Sequence, residues 1–166
     1  MNKLLFDNKI NLLFLFISLL CVIGVVGIEN ISFQSTKWLH SLETGTHQLG
    51  WYFFKNDIWR FPLGSNPNYG DNIGNVIVFS DSIPILALFF KLFKSFITEN
   101  FQYFSFWYFI CFYLQLFFSF KILKKFTNSV PYSFIGSLFF IVTPIFIYRI
   151  DYNAGLSGQW ILLFTL

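Results

Sequence analysis

The sequence predicts an all-α fold, a polytopic bundle of transmembrane helices, and three observations predict it. The first is composition: 55% of residues are hydrophobic and only 11% charged, with a mean hydropathy of +0.61. A soluble domain carries about 25% charged residues, so this chain cannot cover itself with a polar surface. The second is the presence of 26 phenylalanines in 166 residues. One soluble core of this size cannot enclose them all, whereas lipid solvates the surplus. The third is arrangement, because apolar runs of near-spanning length alternate with stretches where charges and indoles crowd the membrane edge.

The elements follow in order. Residues 10–28 are long enough to cross a bilayer, which takes about 20 residues. Lys3 and Lys9 precede this run as the basic flank of a helix whose N-terminus stays in the cytoplasm. No small-x-small cleavage site follows Gly27, so the run reads as an uncleaved anchor rather than a signal peptide. Residues 29–81 form a long polar loop punctuated by Trp38, Trp51, Tyr52, Trp59 and Phe61. Trp and Tyr favour the headgroup layer, so short helices over 35–48 are expected to lie along the membrane surface. Pro62, Gly64, Pro67 and Gly70 then make a turn-rich crossing.

A second span is expected over 82–97, with Asp81 or Ser82 as N-cap and Pro84 in the first turn. Its lysines, Lys91 and Lys94, would snorkel to the headgroups. A third span covers 101–123 and a fourth 130–148, kinked at Pro144. A partial run over 156–166 covers about half a bilayer at 1.5 Å per residue and has no polar flank. The chain therefore reads as the N-terminal portion of a longer protein.

Orientation turns on 82–97. If all four runs cross, Lys91, Lys94 and Arg149 face the cytoplasm, while Lys121, Lys124 and Lys125 fall outside. If 82–97 is re-entrant, those three lysines move inside and Arg149 moves out beside the long loop. The positive charges favour the second arrangement slightly, yet a short helix can span by thinning or snorkelling, so four crossings are expected. Loop 29–81 is extracytoplasmic either way.

Composition also excludes some functions. Net charge is +3 with dispersed basic residues, whereas a nucleic-acid partner needs a basic face or stripe. Cys21 and Cys111 both sit in apolar runs and read as small buried hydrophobes. No P-loop, GxSxG, HExxH or dinucleotide fingerprint is present.

Ionisable groups at a membrane boundary are expensive and so are the first candidates for chemistry. Asp81, at a helix N-terminus, is expected to stay ionised. It is either a simple cap or a group that takes a proton from a sugar hydroxyl or holds a metal beside a phosphate. Asp57 and Asp71, with Lys55 and Arg60 nearby, suit either a metal–phosphate headgroup or a solvated loop with balanced charges. Trp59 flanks Asp57 and holds it near the lipid surface. His47, near Trp51, reads as a hydrogen-bonded interface histidine. Arg149 is either a helix-end anchor or a bidentate clamp for phosphate, with Asp151 its local partner. Gln159 opens the last run, where an amide usually bonds to a neighbouring helix.

Taken together, GWYFFKNDIWRFPLGSNPNYG, SDSIPILALFFKLF, FQYF followed by FWYFICFYLQ, and YRIDYNAGLSGQW resemble a bacterial family of uncharacterised polytopic membrane proteins. That family is similar to the GT-C glycosyltransferases, which use lipid-phosphate-linked sugars. The resemblance covers nearly the whole chain. It implies a GT-C-like fold in the plasma membrane and an acidic base or metal ligand in the first extracytoplasmic loop. Asp81, and next Asp57, are the positions that would fill that role, with Mg or Mn as the divalent metal held by Asp81 and Asp71. Arg149, Lys55, Arg60, Trp59 and Gln159 would meet the lipid-linked sugar donor. Relatives are expected to carry a histidine before the tryptophan of the fifth span, where this chain has Gln159. A different class remains open, a transporter or flippase subunit for lipid-linked sugars, as does a non-functional remnant.

Overall fold

The computed structural model describes residues 2–40, 42–70, 73–81 and 83–166, with the backbone alone for 2–7, 40, 42 and 151. The chain is mostly helical, and three long helical segments carry a cap built from the residues between the first and second of them.

Helix α1 (Asn2–Val26) carries a long apolar run, yet among its described side chains only Ile10, Phe14, Ser18, Val22 and Val26 are buried. That four-residue step is one helical stripe. Leu12, Leu13, Leu15, Phe16, Leu19 and Leu20 point away from the protein, as a helix solvated by lipid requires. Gly27, at φ 84°, ends the helix with its N–H on the Ile23 carbonyl. Helix α5 (Phe104–Thr127) buries Phe104, Tyr108, Cys111, Phe112, Gln115, Leu116, Ser119 and Phe120 and stops at Asn128 in the left-handed region.

Contacts along these helices fix their directions. Phe14 meets Phe120 at 5.5 Å between ring centroids, and near the cap Ser105 Oγ donates to the Ile31 carbonyl at 3.2 Å. Partner numbers fall as others rise, so α1 and α5 are antiparallel. The next segment repeats the pattern: Leu123 lies against Gly136, Phe112 meets Phe146 at 5.3 Å, and Trp107 Nε1 donates to the Ala154 carbonyl at 2.6 Å. That segment is α6 (Val130–Ile141) followed by α7 (Pro144–Tyr152), bent by 49° at the expected proline. Buried Ser18, Ser119, Ser133 and Ser137 line the helix contacts and return their hydroxyls to carbonyls of their own helices. Small residues there let backbones approach closely.

Two helices, Asn8–Val26 and Phe104–Thr127, are long and apolar enough to cross a membrane, and α6 with α7 makes a third if the bent pair is one span. Residues 82–97 depart from expectation. They form only α4 (Pro84–Leu92) and a 3₁₀ turn at Lys94–Phe96. Nine helical residues reach about 14 Å, half a hydrocarbon core. The reason is Lys91, which is 2% exposed and turned into the cap rather than snorkelling outward. Lys121, Lys124 and Lys125 lie towards the end of α5 away from the cap, and Arg149 lies at the cap end.

The cap is organised by α2 (Leu42–Asn56), which runs eight residues past the expected interfacial helix. Thr44, Gln48, Trp51, Phe54 and Lys55 are its buried face, again at helical spacing. Trp51 Nε1 donates to the Phe101 carbonyl at 2.9 Å, and Gln102 Nε2 to the Ser32 carbonyl at 2.8 Å. These bonds tie the cap to the start of α5. A two-residue antiparallel ladder, β1 (Ser65–Asn66) with β2 (Asn75–Val76), leads into the single-turn helix α3 (Ile77–Ser80). Helix α3 presses so closely on α2 that a Cβ at Gly50 would lie 2.0 Å from the Ser80 carbonyl oxygen. The last run holds a 3₁₀ turn at Ala154–Ser157 and the short helix α8 (Trp160–Phe164).

Candidate functional site

Asp81 sits between α3 and α4 and is 1% exposed. Its Oδ1 accepts the N–H of Ile83 at 2.7 Å, and the Tyr103 hydroxyl donates to Oδ2. Trp51 and Phe90 close over Tyr103, with ring centroids 5.2 and 5.5 Å away. Burial pushes the Asp81 carboxyl up to about 6, against the lowering effect of the bonds from Tyr103 and Ile83. Asp81 is therefore sealed rather than open at the membrane edge, and a carboxyl at about 6 remains mostly ionised at neutral pH, as expected. Asp81 closes a turn, and the knot it makes with Tyr103 fastens the cap to the head of α5. A base must reach the proton it removes, and this carboxyl is sealed from solvent.

Asp57 was the second acid singled out. It is a local ion pair: Arg60 Nε lies 3.3 Å from Oδ2 and Arg60 Nη2 3.4 Å from Oδ1, while the Ile58 N–H donates at 2.8 Å. Burial acts to raise its pKa, but the hydrogen bonds from Arg60 and Ile58 and the charges of Arg60 and Lys91 hold it below its ordinary value. Trp59 stands edge-on to Phe54 at 6.3 Å. Between them lies Lys91, its Nζ 3.8 Å from the Phe54 ring centre and 4.9 Å from that of Trp59. Desolvation brings Lys91 down to about 8, partly offset by Asp57. The sequence directs Lys91 towards the headgroups, whereas the fold turns it inward.

Lys55 is also committed. Its Nζ donates to the carbonyls of Thr98 and Glu99, and burial lowers its pKa. Together with Asp57 and Lys94 it borders an open cleft of about 470 Å³ in the cap. Gln159 precedes α8, where Trp160 stacks on Phe118 at 6.1 Å, and it lines no cavity with the other candidates. Asp71 lies outside the described residues. Among the described residues no three His, Cys, Asp or Glu side chains converge, and both oxygens of Asp81 are already engaged.

Arg149 is different. It is exposed on α7 and lines a groove of about 630 Å³ with Pro144, Ile145, Tyr148, Tyr152 and Leu156. Tyr148 and Tyr152 stack nearly parallel, 5.8 Å apart at 10°. At the rim the groove meets α2. The Glu43 charge and a hydrogen bond to its carboxylate raise the Tyr152 phenol above its ordinary value. Asn153 Nδ2 donates to Glu43 Oε2 at 2.7 Å and lies 3.4 Å from His47 Nε2, while Asn153 Oδ1 accepts the N–H of Gly155 at 2.9 Å. Burial lowers His47, with Glu43 and the Ser80 carbonyl pulling the other way, and its Nδ1 makes no well-formed hydrogen bond.

Glu43, Tyr152 and Asn153 escaped the sequence reading, although His47 did not. A signal existed: Glu43 and His47 are four apart, which puts both on one helix face. Nothing local to residues 42–56 indicates that Asn153, 110 positions from Glu43, completes the group.

A search of curated proteins and of solved structures finds no match. Residues 15–166 match the family model described as a domain of unknown function, DUF6311. With that match running from the middle of α1 through α8, the chain belongs to the DUF6311 family.

Proposed function

We propose that the protein is a membrane glycosyltransferase of the GT-C type, taking its sugar from a polyprenyl-phosphate donor at the outer face of the plasma membrane. The observation that carries this reading is the meeting of Glu43 with the Arg149 groove through Tyr152 and Asn153. An apolar channel opening beside a guanidinium suits a prenyl chain that ends in phosphate, because Arg grips phosphate bidentately. The stacked tyrosines offer a flat, amphipathic wall for the first isoprene or the sugar.

In this reading Glu43 replaces Asp81 as the base. Glu43 takes the proton of the acceptor hydroxyl as its oxygen attacks the anomeric carbon. The bond from that carbon to the phosphate oxygen breaks on the opposite face, with inversion. The lipid phosphate leaves with its negative charge against Arg149, and Asn153 keeps the carboxylate aimed. In this reading the N-terminus and Lys121, Lys124 and Lys125 face the cytoplasm and the cap lies outside, the sidedness that the positive-inside rule favours.

The test is transfer from a labelled polyprenyl-phosphate sugar in proteoliposomes. The wild-type protein should turn over donor, and Glu43→Gln should lose about 10²-fold or more while still retaining donor. Arg149→Ala should weaken donor retention. Donor that is bound but never cleaved by the wild type would overturn the enzyme reading and leave a lipid transporter. Full activity in Glu43→Gln would overturn the assignment of the base.

A further inference from the structure

Lys55 ends the buried face of α2 with a charge that the cap does not balance. The residue is 3% exposed, and a buried ammonium is costly unless an anion sits beside it. Its Nζ donates to the carbonyls of Thr98 and Glu99, which leaves one of three N–H donors unspent. Lys94, in the turn after α4, spends one donor on the Asn56 carbonyl at 3.0 Å and keeps two. Burial lowers the Lys55 pKa, the Glu99 charge pulls it back and the Lys94 charge lowers it again, so the two ammoniums are neighbours. Among the described residues neither has a carboxylate within 4 Å. Asp57 is taken by Arg60, and Glu99 Oε1 accepts from the Tyr52 hydroxyl at 3.4 Å. Neutral amides could make the same bonds to carbonyls without a desolvated charge. Two cations kept here call for a negative partner.

Both lysines border the open cleft of about 470 Å³, with Asn56, Asn68 and the rings of Tyr52 and Phe53 also on its walls. This cleft is separate from the groove at Arg149. The two share no lining residue. Glu43 lies in the first turn of α2 and Lys55 in the last, about 18 Å apart along the axis at 1.5 Å per residue.

We infer that the cleft binds a phosphate monoester through Lys55 and Lys94. Such a group carries about −1.5 to −2 charge at pH 7, which matches two ammoniums, and its terminal oxygens accept the unspent donors. A carboxylate would balance only one of the lysines. The amides of Asn56 and Asn68 and the faces of Tyr52 and Phe53 are left for the rest of the ligand, a soluble ester or a lipid headgroup. The inference does not rest on the proposed transferase activity, in which these two lysines take no part.

Calorimetric titration of inorganic phosphate tests it, at constant ionic strength, with the full chain in phosphatidylcholine nanodiscs. The wild-type protein should bind phosphate, and Lys94→Gln, which keeps an N–H for the Asn56 carbonyl, should weaken that binding about ten-fold. Lys55→Gln should do the same. Arg149→Ala should leave the Lys94-dependent binding in place, as should Lys37→Gln, which removes an exposed charge elsewhere in the cap. A second arm puts phosphatidic acid in the nanodiscs and measures how much stays with the purified protein. Retention that falls in Lys94→Gln assigns the site to a lipid headgroup; retention that does not, with phosphate binding lost, assigns it to a soluble ester. Phosphate and phosphatidic acid binding that are the same in Lys94→Gln as in the wild type would overturn the inference. Equal weakening by Lys37→Gln would overturn it too, since the effect would then be one of overall charge.

Discussion

Gly50→Ala sets two effects of opposite sign against each other. In an isolated helix the change stabilises by about 1 kcal/mol, because alanine gives up less backbone entropy. At position 50 the new Cβ would lie 2.0 Å from the Ser80 carbonyl oxygen, 2.7 Å from its carbon and 2.9 Å from its Cβ. Two of those three atoms are backbone, so α3 must move off α2, and overpacking of this kind costs about 1–3 kcal/mol. The displacement would also strain Asn66 Nδ2, which holds the Gly50 carbonyl at 3.1 Å. The net expectation is a loss of up to about 2 kcal/mol, or several degrees in Tm for a chain of this size. Thermal unfolding in detergent measures it, with Gly24→Ala on α1 as the partner experiment. Around Gly24 nothing lies within 4 Å of a built Cβ, so that change should be neutral or stabilising. A Gly50→Ala protein as stable as Gly24→Ala would refute the close approach of α2 and α3.

The remaining predictions concern the buried charges and the groove rim. Asp81 is pushed up to about 6 from its ordinary value of 3.8. Its contribution to stability is therefore complete below pH 4 and lost as pH rises through 6, by about 3 kcal/mol in all. Asp81→Asn should remove that loss, so the difference in Tm between variant and wild type should grow from pH 4 to 7; a constant difference would refute the burial. Lys91 is lowered to about 8 from 10.5, so its contribution is complete above pH 10.5 and falls away as pH drops through 8. Lys91→Met, which keeps the apolar stem on Phe54 and Trp59, should raise stability at pH 7 by about 1 kcal/mol, with the gain shrinking as pH rises towards 10.5. Tyr152→Phe should cut turnover of a polyprenyl-phosphate sugar several-fold while leaving Tm essentially unchanged, since the residue is surface-exposed. Equal turnover would disconnect the groove from Glu43.

Individual residues show how far local signals reach. Pro144 as a kink, Gly27 as a helix end and the lipid-facing surplus of α1 follow from backbone chemistry and hydropathy, which are properties of a few neighbouring residues. Residues 82–97 are apolar enough to read as a span, yet composition does not record which way Lys91 points. Asp81 was singled out for the right reason, an acid at a membrane edge, but its protonation depends on Tyr103, Trp51 and Phe90. Those rings come from segments on either side of it.

The amino-acid sequence by itself determined that this protein is mostly helical, with apolar helices long enough to cross a membrane, where those helices run, and that its polar residues collect between the first and second of them. Hydrophobic free energy scales with the area of each segment and needs no partner to be read. Only the tertiary structure decided that α4 stays with the cap, that Asp81 is sealed, and that Glu43 meets Arg149's groove through Asn153. Desolvation and hydrogen bonding depend on what lies within a few ångströms, and for these residues the deciding neighbours lie about twenty to more than a hundred positions away along the chain.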